Sequence, residues 1–191
     1  MTRIAFCGVG ALGSGAVLLC RNLDATLRLI DGDRVESRNL LAQGFVKQSL
    51  GKNKADAMKL QLLNFYGIRA ESFAVRVTEQ NVEALLGPAD LVVDCFDNAA
   101  SRRVLSEFAE AQRRPLVHAA LAADGTFGIV RWEARFTADE EDEPGQATCE
   151  GGEHLPLYGL AAAALARCIQ QFLKNGGQED YIVSLNGVRQ V

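Results

Sequence analysis

The sequence contains few of the residues on which metal centres and disulfide frameworks depend. Its 191 residues include only two histidines, His118 and His154, which argues against a histidine-based metal centre. Its five cysteines are an odd number, widely spaced and without a C-x-x-C pair. That pattern argues against a disulfide framework or a four-cysteine zinc site, and it fits a reducing compartment.

The sequence also lacks a long apolar run and a strong charge of either sign. No stretch is apolar over the roughly 20 residues that a membrane-spanning helix needs, and the first residues lead directly into a strand pattern without a signal peptide. A net charge of −4 gives no sign of a nucleic-acid or membrane partner. With 48% hydrophobic and 23% charged residues, we expect one cytoplasmic globular domain over residues 1–191.

A glycine-rich stretch follows the first predicted strand. The apolar run Ile4–Cys7 leads into the pattern G-x-G-x-x-G, and an apolar helix is predicted from there to about Cys20. In such a turn Gly8 permits the sharp bend, Gly10 lets the backbone approach a phosphate, and Gly13 lets the helix pack close to the sheet. Because a helix N-terminus also favours an anion, this pattern predicts a nucleotide site.

A long polar segment, residues 31–54, follows the second predicted strand, Ala25–Ile30. Plain crossovers in α/β sheets use about 2–6 residues between strand and helix, whereas long polar loops at the carboxyl ends of strands usually hold ligands. Asp31 follows Gly13 by about 20 residues, where an acceptor for a ribose hydroxyl is expected, and Asp33 is close behind. NAD and ATP would both satisfy these features.

The rest of the chain alternates between strand and helix patterns. We predict helices at 53–65, 79–86, 99–112 and 159–173, and strands at 70–77, 90–93, 115–119, 126–136 and 181–185. This order implies a Rossmann-like, doubly wound α/β fold, with a mainly parallel sheet and helices on both faces. The nucleotide is expected across the carboxyl ends of the first, second and fourth strands.

Three segments in this order resemble the signatures of the ThiF/MoeB/HesA family, the adenylating core shared with ubiquitin-activating enzymes. They read GVGALGSG, then DGDRVESRNLLAQ with GKNK, then DLVVDCFDN. A NAD-binding protein has no reason to carry the second and third segments. In its length and in its lack of a C-x-x-C pair, the chain resembles short ThiF-type members without a zinc ribbon.

The resemblance implies a reaction and a set of site residues. Such an enzyme binds ATP and Mg²⁺ and adenylates the C-terminal Gly-Gly carboxylate of a ubiquitin-like sulfur-carrier or modifier protein. By similarity, the glycine loop and Asp31 would hold the nucleotide, with Asp33 beside them. Phosphate contacts would come from Asn39, Gln43 and Lys54, and Asp97 would hold Mg²⁺. The next residue, Asn98, is interpreted as a helix cap, with Arg102 as a local partner.

Residues 137–154 resemble the family's crossover loop. Consecutive acids at Asp139–Glu143 and a following Pro-Gly are typical of a solvated, flexible loop. Cys149 lies in this loop, and in some relatives a loop cysteine takes the carrier as a thioester or persulfide. The neighbouring acids would raise the pKa of its thiol, which opposes that role.

Two further features decide between functions. The family arginine before the conserved glutamine is Ala42 here, so a degenerate subunit that binds nucleotide or carrier is the alternative to an adenylyltransferase. Arg34, Arg38, Lys47 or Lys52 could replace the missing cation. A NAD-dependent oxidoreductase is a third hypothesis, opposed by the absence of a Tyr-x-x-x-Lys pair.

The apolar helix at 159–173, together with the resemblance, predicts a homodimer.

Overall fold

The protein, analysed as a computed structural model, is described over residues 1–122, 124–136 and 154–191. In these residues eight strands form a single sheet and five α-helices pack on it. The strands are β1 (Thr2–Cys7), β2 (Ala25–Ile30), β3 (Glu71–Phe73), β4 (Leu91–Asp94), β5 (Leu116–Leu121), β6 (Phe127–Trp132), β7 (Tyr181–Ser184) and β8 (Gly187–Gln190). The helices are α1 (Ala11–Leu19), α2 (Lys54–Tyr66), α3 (Val82–Leu86), α4 (Ala99–Gln112) and α5 (Leu155–Asn175).

The sheet has a parallel half that matches the predicted fold. The strand order is β3-β2-β1-β4-β5-β6-β7-β8, and the pairs within the first five strands of that order are parallel. The chain passes from β1 outward to β3, then returns to the other side of β1 to form β4. This reversal creates the crevice in which open α/β sheets bind ligands. The prediction of a Rossmann-like, doubly wound fold is therefore confirmed.

The other half of the sheet is antiparallel. Strands β5, β6, β7 and β8 pair in sequence as antiparallel neighbours. The β5–β6 connection is short, so it contains no crossover helix and the chain must reverse direction. Strand β8 was not predicted, because its four residues, Gly187–Gln190, are all exposed and carry no apolar alternation.

Two apolar cores lie on the two faces of the sheet. In β1 the side chains of Ile4 and Phe6 join the core under α1, α2 and α5. The intervening Ala5 and Cys7 join the core under α3 and α4. This alternation follows from the two-residue period of a strand, and burial on both faces explains why β1 is apolar throughout.

Helix α5 is longer than predicted and is covered within the chain. It begins at Leu155, where Pro156 occupies the first turn, and it ends at Asn175, before Gly176 with φ +73°. Its apolar residues, including Leu157, Leu165 and Ile169, are buried against α1 and the antiparallel strands. The apolarity of this helix therefore does not require a second subunit, and the homodimer stays a prediction.

Other boundaries also differ from prediction. The strand predicted at 70–77 is only Glu71–Phe73, because it pairs with a single neighbour at the sheet edge. The strand predicted at 126–136 ends at Trp132 and continues as a short 3-10 helix, Glu133–Arg135. The acidic run 139–143 and Cys149 lie outside the described residues. None of the helices in the described ranges is both long and apolar enough to cross a membrane.

The glycine turn between β1 and α1 is built by close backbone contact. Gly8 has φ +88°, a conformation that side chains disfavour, and a Cβ there would lie 2.8 Å from the carbonyl oxygen of Cys95. A Cβ at Gly13 would lie 2.0 Å from the carbonyl oxygen of Gly8. At Gly10, by contrast, no atom of the described chain lies within 4 Å of an added Cβ.

This difference predicts unequal effects of alanine in the turn. Gly13→Ala should lower the free energy of unfolding by about 1–3 kcal/mol or more, because the methyl group must displace backbone. Gly10→Ala should cost less than about 1 kcal/mol, since only a weaker helix cap is introduced. Urea denaturation of both variants would measure the difference, and equal losses would contradict the packing described here.

Candidate functional site

A cavity of about 440 Å³ opens at the carboxyl ends of β1, β2 and β4, where the sheet reverses its winding. We call it the strand-end cavity. Its walls come from the glycine turn (Gly8, Gly10), the end of β2 (Asp31, Gly32, Asp33), the start of α2 (Lys54), the chain after β3 (Arg76, Val77) and the chain after β4 (Cys95, Phe96, Asp97, Asn98, Ser101). The structure thus brings together Gly8, Gly10, Asp31, Asp33, Lys54 and Asp97, which are distant in sequence.

The buried carboxylate of Asp31 joins two walls of this cavity. Its Oδ2 accepts a hydrogen bond from the Val9 N–H at 2.7 Å, and its Oδ1 accepts one from the Asp33 N–H at 2.8 Å. Burial raises the pKa of Asp31, although the Lys54 cation and these two hydrogen bonds oppose the shift. Asp31 therefore fixes the glycine turn against the loop that follows β2 and stands at the cavity wall.

The long segment after β2 closes on itself before α2 begins. The N–H of Val35 donates to Lys52 O, and the N–H of Gly51 donates to Val35 O, both at 2.9 Å. The side-chain amide of Asn53 donates to Asp31 O at 2.7 Å and to Asp33 O at 3.0 Å. These bonds make residues 34–53 a closed loop, which we call the 34–53 loop, and they place Lys54 next to Asp31.

Acids and bases alternate along this wall. The Lys54 ammonium lies 3.5 Å from Asp33 Oδ2, and the Arg76 guanidinium lies 3.5 Å from Asp33 Oδ1. The Lys54 side chain is 11% exposed, whereas that of Arg76 is 82% exposed. Lys54 is thus a largely buried cation and Arg76 an exposed one, and both stand at the wall where an anion in the cavity would lie.

Asn39 and Gln43 do not line the strand-end cavity; both are buried within the 34–53 loop. Asn39 Oδ1 accepts a hydrogen bond from the Glu36 N–H at 2.9 Å, which begins a short 3-10 helix. Gln43 Oε1 is buried and has no hydrogen-bond partner in the described part of the chain. Ala42 is also buried, at 8% exposure. The phosphate contacts assigned to Asn39 and Gln43 remain predictions.

The chain after β4 presents Asp97 on the opposite wall. Asp97 is exposed to the cavity, and Asn98 Oδ1 accepts the Ser101 N–H at 2.9 Å, which caps α4 as predicted. Arg102 donates to Phe96 O at 2.9 Å, so it is the local partner that the sequence indicated. In the described residues no group of three or more acidic, histidine or cysteine side chains could hold a metal ion. Mg²⁺ is commonly held by one or two carboxylates together with substrate phosphates. A single carboxylate, that of Asp97, is therefore enough for such a site.

Sequence reasoning missed two contributors to this site. Arg76 was assigned to a strand, and nothing in its neighbourhood signals a cavity residue. Asn53 stands at the start of the helix predicted at 53–65, and it caps α2 by accepting the Asp56 N–H at its Oδ1, at 3.2 Å. Its second role, as donor to two carbonyl groups at the end of β2, depends on the loop closing in three dimensions.

The two roles of Asn53 can be separated by substitution. Asn53→Asp keeps an N-cap acceptor but loses both donated hydrogen bonds, whereas Asn53→Ala loses the cap as well. Because two carbonyl groups lose their donor, Asn53→Asp should lower the free energy of unfolding by about 1–3 kcal/mol. If chemical denaturation found Asn53→Asp as stable as the wild type, capping would be the whole role of Asn53.

Two named relatives share a third or so of their residues with this chain over the aligned part. An "Adenylyltransferase and sulfurtransferase uba4" of Neosartorya fischeri is 30% identical over 145 residues, which are 74% of this chain and 28% of that protein. A "Sulfur carrier protein adenylyltransferase" of Thermus thermophilus is 34% identical over 127 residues, which are 63% of this chain and 46% of that protein. The chain therefore spans less than half the length of these relatives.

Solved structures share the fold of this chain. The microcin C7 biosynthetic enzyme MccB in complex with N-formylated MccA superimposes with a TM-score of 0.79 at 17% identity, covering 100% of this chain and 64% of MccB. E. coli MccB with ATP gives 0.78 at 15% identity, with 100% and 63% coverage. The model of the ThiF family matches residues 1–180. The motifs, the sheet and this match together establish that the chain belongs to the ThiF family.

Proposed function

We propose that this protein binds ATP in the strand-end cavity and adenylates the C-terminal carboxylate of a small sulfur-carrier or modifier protein. The observation that carries this proposal is the convergence of the glycine turn, Asp31, Lys54 and Asp97 on one cavity. A turn of this kind accepts phosphate, a buried carboxylate accepts a ribose hydroxyl, and a held lysine meets phosphate charge. The named relatives are adenylyltransferases, which supports the same reaction class.

In the proposed reaction, a carboxylate oxygen of the carrier attacks the α-phosphorus of ATP. A new O–P bond forms while the bond to the bridging oxygen breaks, and pyrophosphate leaves with the electron pair. The products are an acyl adenylate and pyrophosphate. No general base is needed because the attacking carboxylate is already ionised. The protein's contribution is to orient the two reactants and to stabilise charge on the phosphate oxygens.

The charge balance of the cavity supports a requirement for Mg²⁺. Among the described residues that line it, Asp31, Asp33 and Asp97 carry negative charge, and only Lys54 and Arg76 carry positive charge. A triphosphate would therefore add to an existing excess of negative charge. Mg²⁺ bound by Asp97 would supply the missing positive charge and Lewis acidity at the phosphates.

The carrier is proposed to end in Gly-Gly. One relative is named for a sulfur carrier protein, and MccB was crystallised in complex with N-formylated MccA. A glycine tail has no side chains, so its backbone could approach groups at the cavity closely. The homodimer is proposed together with this activity, on the family resemblance alone.

A binding subunit without catalysis is the second candidate function, and Ala42 is the observation that favours it. The position is buried in the 34–53 loop and carries no cation. A single cation directed at a transition-state charge is commonly worth about 10²–10³ in rate. Its loss could leave nucleotide binding intact while catalysis is slow.

The nucleotide assignment predicts selective stabilisation. ATP with Mg²⁺ should raise the melting temperature more than NAD does, since a ligand at 100 times its Kd adds about 2.7 kcal/mol to the free energy of unfolding. Asp31→Ala should remove most of this shift because the ribose contact is lost. Asp24→Ala, at the opposite end of β2, is the matched control and should keep it. Equal or greater stabilisation by NAD would overturn the assignment.

The catalytic assignment predicts pyrophosphate exchange into ATP that depends on a carrier ending in Gly-Gly. Lys54→Ala and Asp97→Ala should each abolish exchange, because one removes a phosphate cation and the other removes the anchor of the metal. Lys59→Ala, on the exposed side of α2, should leave the exchange rate unchanged. Full activity in the Lys54 or Asp97 variant would refute the role given to that residue.

Ala42→Arg separates the two candidate functions. If the site lacks a cation, the new guanidinium should raise exchange by roughly tenfold or more. Leu41→Arg adds the same charge at a neighbouring position that is 61% exposed, and it should have little effect. If ATP binds but neither the wild type nor Ala42→Arg exchanges pyrophosphate with any Gly-Gly carrier, the binding function replaces the catalytic one.

A further inference from the structure

A buried network of charged side chains lies behind the strand-end cavity. His118, in β5, is completely buried, and both of its ring nitrogens contact carboxylates. Its Nδ1 lies 2.8 Å from Asp94 Oδ2, and its Nε2 contacts Glu133 Oε2. Neutral imidazole has a single N–H, so the ring can donate to two ionised carboxylates only when it is doubly protonated.

The charges of this network sum to zero only when His118 is doubly protonated. Asp94 and Glu133 contribute two negative charges, and Arg102 contributes one positive charge, with its Nε 3.8 Å from Asp94 Oδ2. Asp94 is fully buried, whereas Glu133 is 32% exposed, so a neutral His118 would leave the group with a net negative charge beside a buried carboxylate. The ring of Phe136 covers the group, stacked 3.9 Å from His118 and 5.4 Å from the Arg102 guanidinium.

The network is bonded to the turn that presents Asp97. Asp94 Oδ1 accepts the Phe96 N–H at 2.9 Å, and Arg102 Nε donates to Phe96 O at 2.9 Å. The N–H and the C=O of Phe96 are therefore both hydrogen-bonded to side chains of the network. Because Asp97 is the next residue, the direction of its side chain depends on how this peptide is fixed.

We propose that His118 is a positioning residue: through Asp94 it fixes the Phe96 peptide and thereby aims Asp97 into the strand-end cavity. The effect on Mg²⁺ binding rests on the proposed function, whereas the fixing of the Phe96 peptide does not depend on it. His118 does not line the strand-end cavity. Nothing in the proposed reaction otherwise uses this histidine.

The protonation of His118 can be followed directly. Burial disfavours the imidazolium, but the hydrogen bonds and charges of Asp94 and Glu133 outweigh this effect and raise the pKa of His118. Other charges near the ring are those of Arg102 on α4 and Arg131, its cross-strand partner on β6. A histidine with a raised pKa stabilises the fold fully below its ordinary value and loses that contribution as pH rises through the raised pKa.

The first test needs no ligand. Nuclear magnetic resonance of the two imidazole rings, with His154→Gln to distinguish them, should show His118 doubly protonated at neutral pH. Glu133→Gln should lower the pKa of His118, whereas Glu107→Gln, the same change at an exposed site on α4, should not. His118→Gln should speed hydrogen exchange of the Phe96 amide by about tenfold. A singly protonated ring at neutral pH, or unchanged exchange, would overturn the proposal.

The second test measures the effect on the metal. With α,β-methylene-ATP as the probe, His118→Gln should raise the Mg²⁺ concentration needed for half-maximal binding by about tenfold, the usual scale for a residue that orients a metal ligand. Binding of the probe without Mg²⁺ should barely change. The wild type should show the same loss as pH rises through the pKa of His118, and His118→Gln should not.

The two proposals fail in different ways. If the wild type does not bind the probe with or without Mg²⁺, the proposed function fails, and the ring titration and Phe96 exchange still decide the structural part. If His118→Gln weakens binding equally with and without Mg²⁺, or leaves both unchanged, His118 does not aim Asp97 and the positioning role is refuted.

Discussion

The architecture of the cavity depends on one buried carboxylate. Asp31 accepts backbone N–H groups from Val9, in the glycine turn, and from Asp33, in its own loop. Without this acceptor, the buried Val9 N–H would lose its partner, at a cost of about 1–3 kcal/mol, and the part-buried Asp33 N–H would lose its partner as well. Because Asn53 and Lys54 are in turn positioned beside Asp31, the same carboxylate indirectly sets where the cavity's main cation stands.

The parts of this site that sequence predicts are those fixed by local chemistry. A glycine turn between strand and helix needs Gly8 and Gly13 whatever lies around it, and Asp31 follows from the end of an apolar strand. The positions of Asn39 and Gln43 were not predictable in this way, because the folding of the 34–53 loop decides whether they face the cavity. Arg76 gave no signal, since it reaches the cavity only through a sheet edge shorter than its sequence suggests.

The difference between features fixed by local chemistry and features fixed by tertiary folding also explains which strands the sequence predicts. Strands β1, β2 and β4 are apolar because helices cover both faces, so composition alone identifies them. The antiparallel half carries weaker signals. Strand β8 is exposed at every position and forms because the chain turns back onto β7. Asp94 and His118 likewise belong to separate strands, and only the register between β4 and β5, which pairs them, makes their contact evident.

The close crossing of α1 and α5 has a consequence for distant sites. A Cβ at Gly15 would lie 2.9 Å from the Cβ of Ala162, so the two helices approach at nearly backbone distance. Helix α1 carries the glycine turn at its start, while α5 rests on the antiparallel strands. The alanines of α5 therefore act as spacers that set the height of the glycine turn above the sheet. Variation in residue size along α5 would change that height from a helix that contributes none of the described residues lining the strand-end cavity.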